Sequence, residues 1–234
     1  MMRVWDADLL SAQKDMQYVT DGLVLWLDGI NNTRHGHDAA STAWEDLSGN
    51  GFDAAISGNI TLSNNAYVFS GNTAQNMVVP GFGAQKGTYE AVFKLTGALT
   101  GSVFVHHGNT AYVIGSCLIS TGTQIILSPS LSKALGYGST QEWANKKSTF
   151  SYVKTNDTGF VNGSPVALTA SGRIGTYPAD GRLTIGARHD EYGYSRPLIG
   201  EISCIRVYDR ILTQEEIAQN YAVDKIRFGS GVNS

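Results

Sequence analysis

Acidic, imidazole and aromatic side chains are the residues of this 234-residue chain whose types could do chemistry, and their spacing restricts what that chemistry is. The nearest acid pairs are Glu45-Asp46, Asp190-Glu191 and Glu215-Glu216. Consecutive strand residues point to opposite faces, so an adjacent pair on a strand cannot aim both carboxylates at one bond, as glycoside hydrolysis requires. Glu215 and Glu216 fall where a helix begins and support its positive end. His106 and His107 are strand neighbours and diverge for the same reason as the acids. His35 and His37 are two apart in a polar stretch beside Asp38, but no cysteine or further acid completes a zinc set. Asp46, Ser48 and Asn50 alternate ahead of Gly51 like the opening of a calcium loop, yet the twelfth position is Ser57 instead of a bidentate Glu. An Asx-turn at a glycine-rich corner accounts for the same residues.

Binding is the chemistry that remains. Tyr192 and Tyr194, with His189, Asp190, Glu191 and Arg196, form a polar-aromatic loop between two core strands. Its rings offer stacking faces to sugar C–H groups, and its polar atoms offer hydrogen bonds to hydroxyls. Trp143, with Tyr137 and Gln141, forms a second such set in a polar loop. Local packing is the alternative explanation for each of these aromatics.

The elements that must hold these residues are short strands. Apolar residues are 42% of the chain and charged residues 16%, enough for a core and no sign of disorder. The 27 glycines against 5 prolines sit among Asn, Ser and Thr, as turns between strands require. Alternation over Leu23–Asp28 predicts a strand covered on both faces, and similar runs follow at Thr88–Leu95, Ser148–Lys154, Arg182–Ala187 and Ile199–Tyr208. Thr213 followed three residues later by Glu216 is a capping box, so a helix starts there. The expected organisation is an N-terminal extension at 1–20 with a helical period over Trp5–Gln17, one domain at 21–228 and a flexible tail at 229–234. Cys117 and Cys204 either pair or remain free thiols. A net charge of -3 gives no field for a polyanion, so nucleic acid and anionic membrane are excluded as expected partners. The first residues lack the apolar core of a signal peptide, and no stretch is long and apolar enough to span a bilayer.

Three stretches carry a resemblance. LTIGAR at Leu183–Arg188 followed by GEISCIRVYDRILTQEEIAQNY at Gly200–Tyr221, GFVNGSPV at Gly159–Val166, and LVLWLDG with WEDLSGNGFDA near the start are similar to the laminin-G-like families of bacterial and phage type. These belong to the concanavalin A-like lectin and glucanase superfamily, and the likeness covers about Gly22 to Tyr221. It implies an all-β, two-sheet antiparallel jelly-roll sandwich with a short C-terminal helix. Glucanases of that superfamily carry Glu-x-Asp-x-x-Glu on one strand, and this chain has no such run. Relatives often place acids after the Gly-x-Ile of the closing strand, where Ser203 and Cys204 stand here, so inherited calcium ligation, including any role of Asp28 as a ligand, is not expected. The expectation is therefore a non-catalytic carbohydrate-binding or adhesion module without a cofactor, phage-particle-associated or extracellular, its sugar held by Tyr192, Tyr194, His189, Asp190, Arg196, Trp143 and Tyr137. A structural or protein-interaction module, self-associating or bound to another protein, is the second reading. A glycoside hydrolase is the third.

Overall fold

Runs of β-branched and aromatic residues between glycine- and asparagine-rich turns fold into strands. The computed structural model describes residues 17–83, 87–96, 100–106, 117–121, 125–130, 133–137, 145–153, 158–172, 181–190 and 193–231. The first half contains β1 (Leu23–Asp28), β2 (Ala43–Trp44), β3 (Ala54–Ser57), β4 (Thr61–Ser63), β5 (Ala66–Ser70), β6 (Asn76–Val79), β7 (Thr88–Leu95), β8 (Thr100–His106) and β9 (Cys117–Thr121). The second contains β10 (Ile125–Ser130), β11 (Lys133–Tyr137), β12 (Lys147–Val153), β13 (Thr158–Val161), β14 (Ser164–Val166), β15 (Thr169–Gly172), β16 (Leu183–Ile185), β17 (Arg188–Asp190), β18 (Gly193–Ser195) and β19 (Ile199–Tyr208), followed by helix α1 (Gln214–Phe228).

Two antiparallel sheets form the sandwich. The first runs β14-β13-β12-β7-β19-β5-β4, with β1 also paired to β19; the second runs β15-β11-β10-β9-β8-β16-β6-β3-β2. The ten-residue β19 is the spine of the first sheet. It lies along β7 on one side, and along β5 and then β1 on the other. Leu25, Leu27, Tyr89, Phe93, Phe150, Ile202, Ile205 and Val207 pack from this sheet against Met77, Val79, Phe104, Leu183 and Ile185 of the other, all buried. Burying each such side chain contributes about 1.5–3 kcal/mol.

Strict alternation would place Ile202 and Ile205 on opposite faces. The register along β7 shifts between Ile202 and Cys204, so Ser203 is the extra residue of a bulge and both isoleucines reach the core. Asn162 and Gly163, with φ of 50° and 75°, make the expected turn between β13 and β14. Asn64 and Asn65, with φ of 50° and 61°, turn β4 into β5 in the same way, which the sequence reading did not pick out.

The outer face of the first sheet is where α1 lies. Thr213 accepts from the Glu216 N–H while the Glu216 carboxylate accepts from the Thr213 N–H, and Gly229, at φ 69°, closes the far end. The helix face turned to the sheet holds Ile217, Asn220, Val223, Asp224 and Phe228. Opposite it, cross-strand neighbours on β12, β7 and β19 stand in rows. Ser151, Glu90 and Arg206 form one row, and Thr149, Val92 and Cys204 the next.

Arg206 is the centre of the contact. Its Nη1 and Nη2 donate to the two oxygens of Asp224 at 2.8 Å each, and its Nε donates to Glu90 Oε2 at 3.0 Å. Asn220 Nδ2 also donates to Glu90, at 2.7 Å, and the hydroxyls of Ser151, Thr149 and Tyr18 donate to Glu90 and Asp224 at 2.8–3.0 Å. The Tyr18 ring lies 4.1 Å below the guanidinium, and Asn220 accepts from the Val19 N–H, so the segment before β1 is fixed by the same cluster. Burial alone would lower the pKa of Arg206, but Asp224 and Glu90 overturn that and hold it well above its ordinary value. One guanidinium faces two carboxylates, and burial raises the Glu90 pKa against the opposing pull of Arg206.

Three expectations meet these facts. The helix over Trp5–Gln17 lies outside the described residues except for Gln17. Cys204 is a free thiol buried under α1, with burial pushing its pKa up. Of the expected tail, Ser230 is buried with its hydroxyl 2.8 Å from Thr149 Oγ1 and Gly231 donates to the Lys147 carbonyl at 2.8 Å, while residues 232–234 lie outside the described residues.

Replacing Arg206 by Met leaves two buried carboxylates without their cation, so Arg206→Met is expected to lose about 3–5 kcal/mol in urea unfolding, whereas Thr213→Ala loses about 1 kcal/mol. Because the folded pKa of Glu90 lies above its unfolded value, its contribution is full at low pH and is lost as pH rises through the folded pKa. The stability difference between wild type and Glu90→Gln should therefore shift in favour of Gln with rising pH, and a pH-independent difference would contradict this linkage.

Candidate functional site

Any ligand must reach side chains that the sandwich leaves open, and the acid-rich cluster is not among them. Glu90, Arg206 and Asp224 are each at most 1% exposed, closed in by α1, and every carboxylate oxygen there accepts from a protein donor. Carboxylate, guanidinium and tyrosine groups stand together here without access to substrate.

Asp28 and Asp46 are similarly committed. Asp46 Oδ1 accepts from the N–H groups of Trp26 and Ser48 at 3.0 and 2.9 Å, and Oδ2 from the Ser48 hydroxyl and the Phe52 N–H at 2.9 and 3.1 Å. Asp28 Oδ1 accepts from the N–H groups of Ile30 and Asn31, and Oδ2 from Arg227 Nη2 at 2.6 Å. Ser48 and Asn50 donate to the backbone of Leu23 and Val24. Asp46, Ser48 and Asn50 tie the β2–β3 corner to β1, and Asp28 ties the end of β1 to α1. Among the described residues, no three His, Cys, Asp or Glu side chains converge as a metal would need.

The expected sugar-binding loop is a hairpin. His189 of β17 stands directly across from Tyr194 of β18, their ring centroids 4.7 Å apart in an edge-to-face contact. Arg196 follows, exposed and at a positive φ of 48°. Glu191, Tyr192 and Trp143 lie outside the described residues, as do the side chains of Asp190 and Tyr137. Tyr137 ends strand β11, where a polar loop was expected.

A concave site that no motif announced opens beyond the C-terminal end of α1. One further row crosses the outer face there: Lys147 of β12 is paired with Lys94 of β7, and Lys94 with Glu201 of β19. The helix stops at Phe228 and Gly229 before covering this row. The result is a groove of about 400 Å³ lined by Asn64, Lys94, Asn145, Lys147, Glu201, Phe228 and Gly229. Asn64 reaches it from the β4–β5 turn and Asn145 from just before β12, both on left-handed backbone, which asparagine tolerates. The two ammonium groups stand 3.9 and 3.8 Å from the Glu201 carboxylate, longer than the 2.7–2.9 Å of a charge-assisted hydrogen bond. Burial lowers the Lys147 pKa, Glu201 opposes this, and Lys94 adds to it. Carboxylate, amides and ammonium groups beside an aromatic wall can hold a polar ring by its hydroxyls and one of its faces.

A second hollow of about 250 Å³ lies between Tyr18, Thr20, Trp26, Val223 and Arg227. Its donors Trp26 Nε1 and Arg227 Nε are themselves buried, so it presents aromatic walls more than reachable polar atoms.

No family model and no curated protein matches the chain. Solved structures do. The sialidase of Trypanosoma rangeli in complex with sialic acid is 18% identical, with a TM-score of 0.65 over 88% of this chain and 33% of that one. The receptor-binding domain of botulinum neurotoxin D is 16% identical, with a TM-score of 0.60 over 87% of this chain and 53% of that one. The chain thus spans about a third of the sialidase and about half of the toxin structure. At this identity the likeness is one of fold: the chain is an antiparallel β-sandwich similar to parts of both.

Proposed function

We propose that this chain is a non-catalytic carbohydrate-binding module and that the groove at the end of α1 holds the sugar. The observation that carries the reading is the convergence of Asn64, Asn145, Glu201, Lys94 and Lys147 beside Phe228 in an open groove, with the remaining acid cluster sealed beneath the helix. A volume of about 400 Å³ suits a small saccharide. Two structural neighbours, a sialidase in complex with sialic acid and a toxin receptor-binding domain, are compatible with this reading. Hydrolysis would require a reachable pair of carboxylates, and among the described residues Glu201 is the one carboxylate lining the groove. A broad apolar docking face is poorly supported among the described residues, whose exposed large hydrophobics are Ile211 and Ile226.

A glycan array followed by calorimetric titration tests the proposal. Wild type is expected to bind at least one glycan and to release no reducing sugar. Asn64→Gly and Asn145→Gly remove the amides without straining the turns, and each should weaken binding about tenfold, the effect of one lost hydrogen bond to a bound ligand, with unfolding little changed. Absence of binding across the array would overturn the proposal. Calcium and EDTA should give the same affinity and the same unfolding midpoint, because protein donors already occupy the oxygens of Asp28 and Asp46. A calcium-dependent midpoint would contradict that.

A further inference from the structure

We infer that the groove selects sugars bearing one carboxylate, which Lys94 and Lys147 grip together. The inference rests on the carbohydrate reading above and narrows it to acidic sugars.

The argument begins with pairing. Lys94 and Lys147 are direct cross-strand partners on the same face of one sheet, an arrangement that like charges make unfavourable. Among the described residues only Glu201 stands against them, and it cannot satisfy both: two lysines against one glutamate leave a surplus of one positive charge there. The C-terminal end of α1 contributes a partial negative charge of about half an elementary charge, too small to cancel that surplus. The side chains are also not free surface lysines. Lys94 is 27% exposed and Lys147 16%, so part of their hydration has been lost and an incoming anion is screened less than at an open surface. Lys147 is held below its ordinary pKa by burial, with Lys94 adding to the effect against Glu201. A carboxylate placed between the ammonium groups would relieve the repulsion and complete the hydrogen bonding that 3.8–3.9 Å separations leave unmade. Asn64, Asn145 and Glu201 remain for the hydroxyls, and one net positive charge matches one carboxylate.

The other rows of this face show what the sequence does when it intends closure. In the row of Ser151, Glu90 and Arg206, opposite charges alternate and α1 covers them. The row of Lys147, Lys94 and Glu201 carries its excess charge where the helix has ended. That difference marks the row as a place for an exogenous anion.

Matched pairs of probes test the inference: oligogalacturonate against the same oligomer with its carboxyls reduced, and sialyllactose against lactose, each titrated by calorimetry. At least one acidic member should bind about tenfold or more tightly than its neutral partner, the scale of a hydrogen bond to a charged group, and its affinity should fall as salt is raised from about 0.05 to about 0.5 M. Lys94→Met and Lys147→Met should each remove most of that preference. Glu201→Gln removes the competing carboxylate and should tighten acidic sugars, whereas a purely structural role for Glu201 would leave the preference unmoved. Equal affinity for acidic and neutral members, or a preference that survives both lysine substitutions, overturns the inference while the carbohydrate reading stands. Tighter binding of a sulfated disaccharide than of either carboxylated probe also overturns it. Failure of every glycan, acidic and neutral, overturns both.

Discussion

The bidentate grip of Arg206 on Asp224, with Glu90 on its other side, is the constraint on which the outer half of this protein depends. A sandwich needs only its inner faces to be apolar, and the second sheet meets that need with Met77, Val79, Leu183 and Ile185. The first sheet is different: β7 is buried on both faces, because α1 lies across it. The helix packs Ile217, Val223 and Phe228 onto the sheet, yet the interior of that contact is ionic. Buried ions are costly unless fully paired, so the arrangement tolerates one register and one helix position. Every donor around Glu90 and Asp224 helps fix that position, including Tyr18 from the segment before β1 and Thr149 from β12.

Position then decides access. Because the Arg206 row sets the helix over the middle of the sheet, α1 ends before the row of Lys147, Lys94 and Glu201. The same anchoring seals the residues that most resemble a catalytic set and opens those that resemble a ligand cradle. Stability and exposure are here two outcomes of one contact. The C-terminal strand, β19, supplies to both: Arg206 to the sealed cluster and Glu201 to the open groove, separated by the bulge at Ser203.

Much of the fold was legible because its causes are local. The strand bounds at Thr88–Leu95 and Ile199–Tyr208, the turn at Asn162-Gly163 and the capping box of Thr213 and Glu216 follow from alternation, positive-φ preference and side-chain reach to neighbouring N–H groups. The bulge was not legible, since nothing in Ile202-Ser203-Cys204-Ile205 says that the pairing slips; the demand of two isoleucines for one core imposes it. Nor was the groove. Lys94, Lys147 and Glu201 carry no motif, whereas the aromatic-rich stretch that stands out in the sequence forms the hairpin of His189 and Tyr194.

By itself the sequence determined which segments could be strands, which faces were apolar, where the helix started and that no adjacent acid pair could share a bond. Tertiary structure decided which outward-facing residues became neighbours. That choice depends on register between strands far apart in the chain and on where a packed helix stops, and both are set by the summed burial and pairing of the whole sandwich instead of by any local preference.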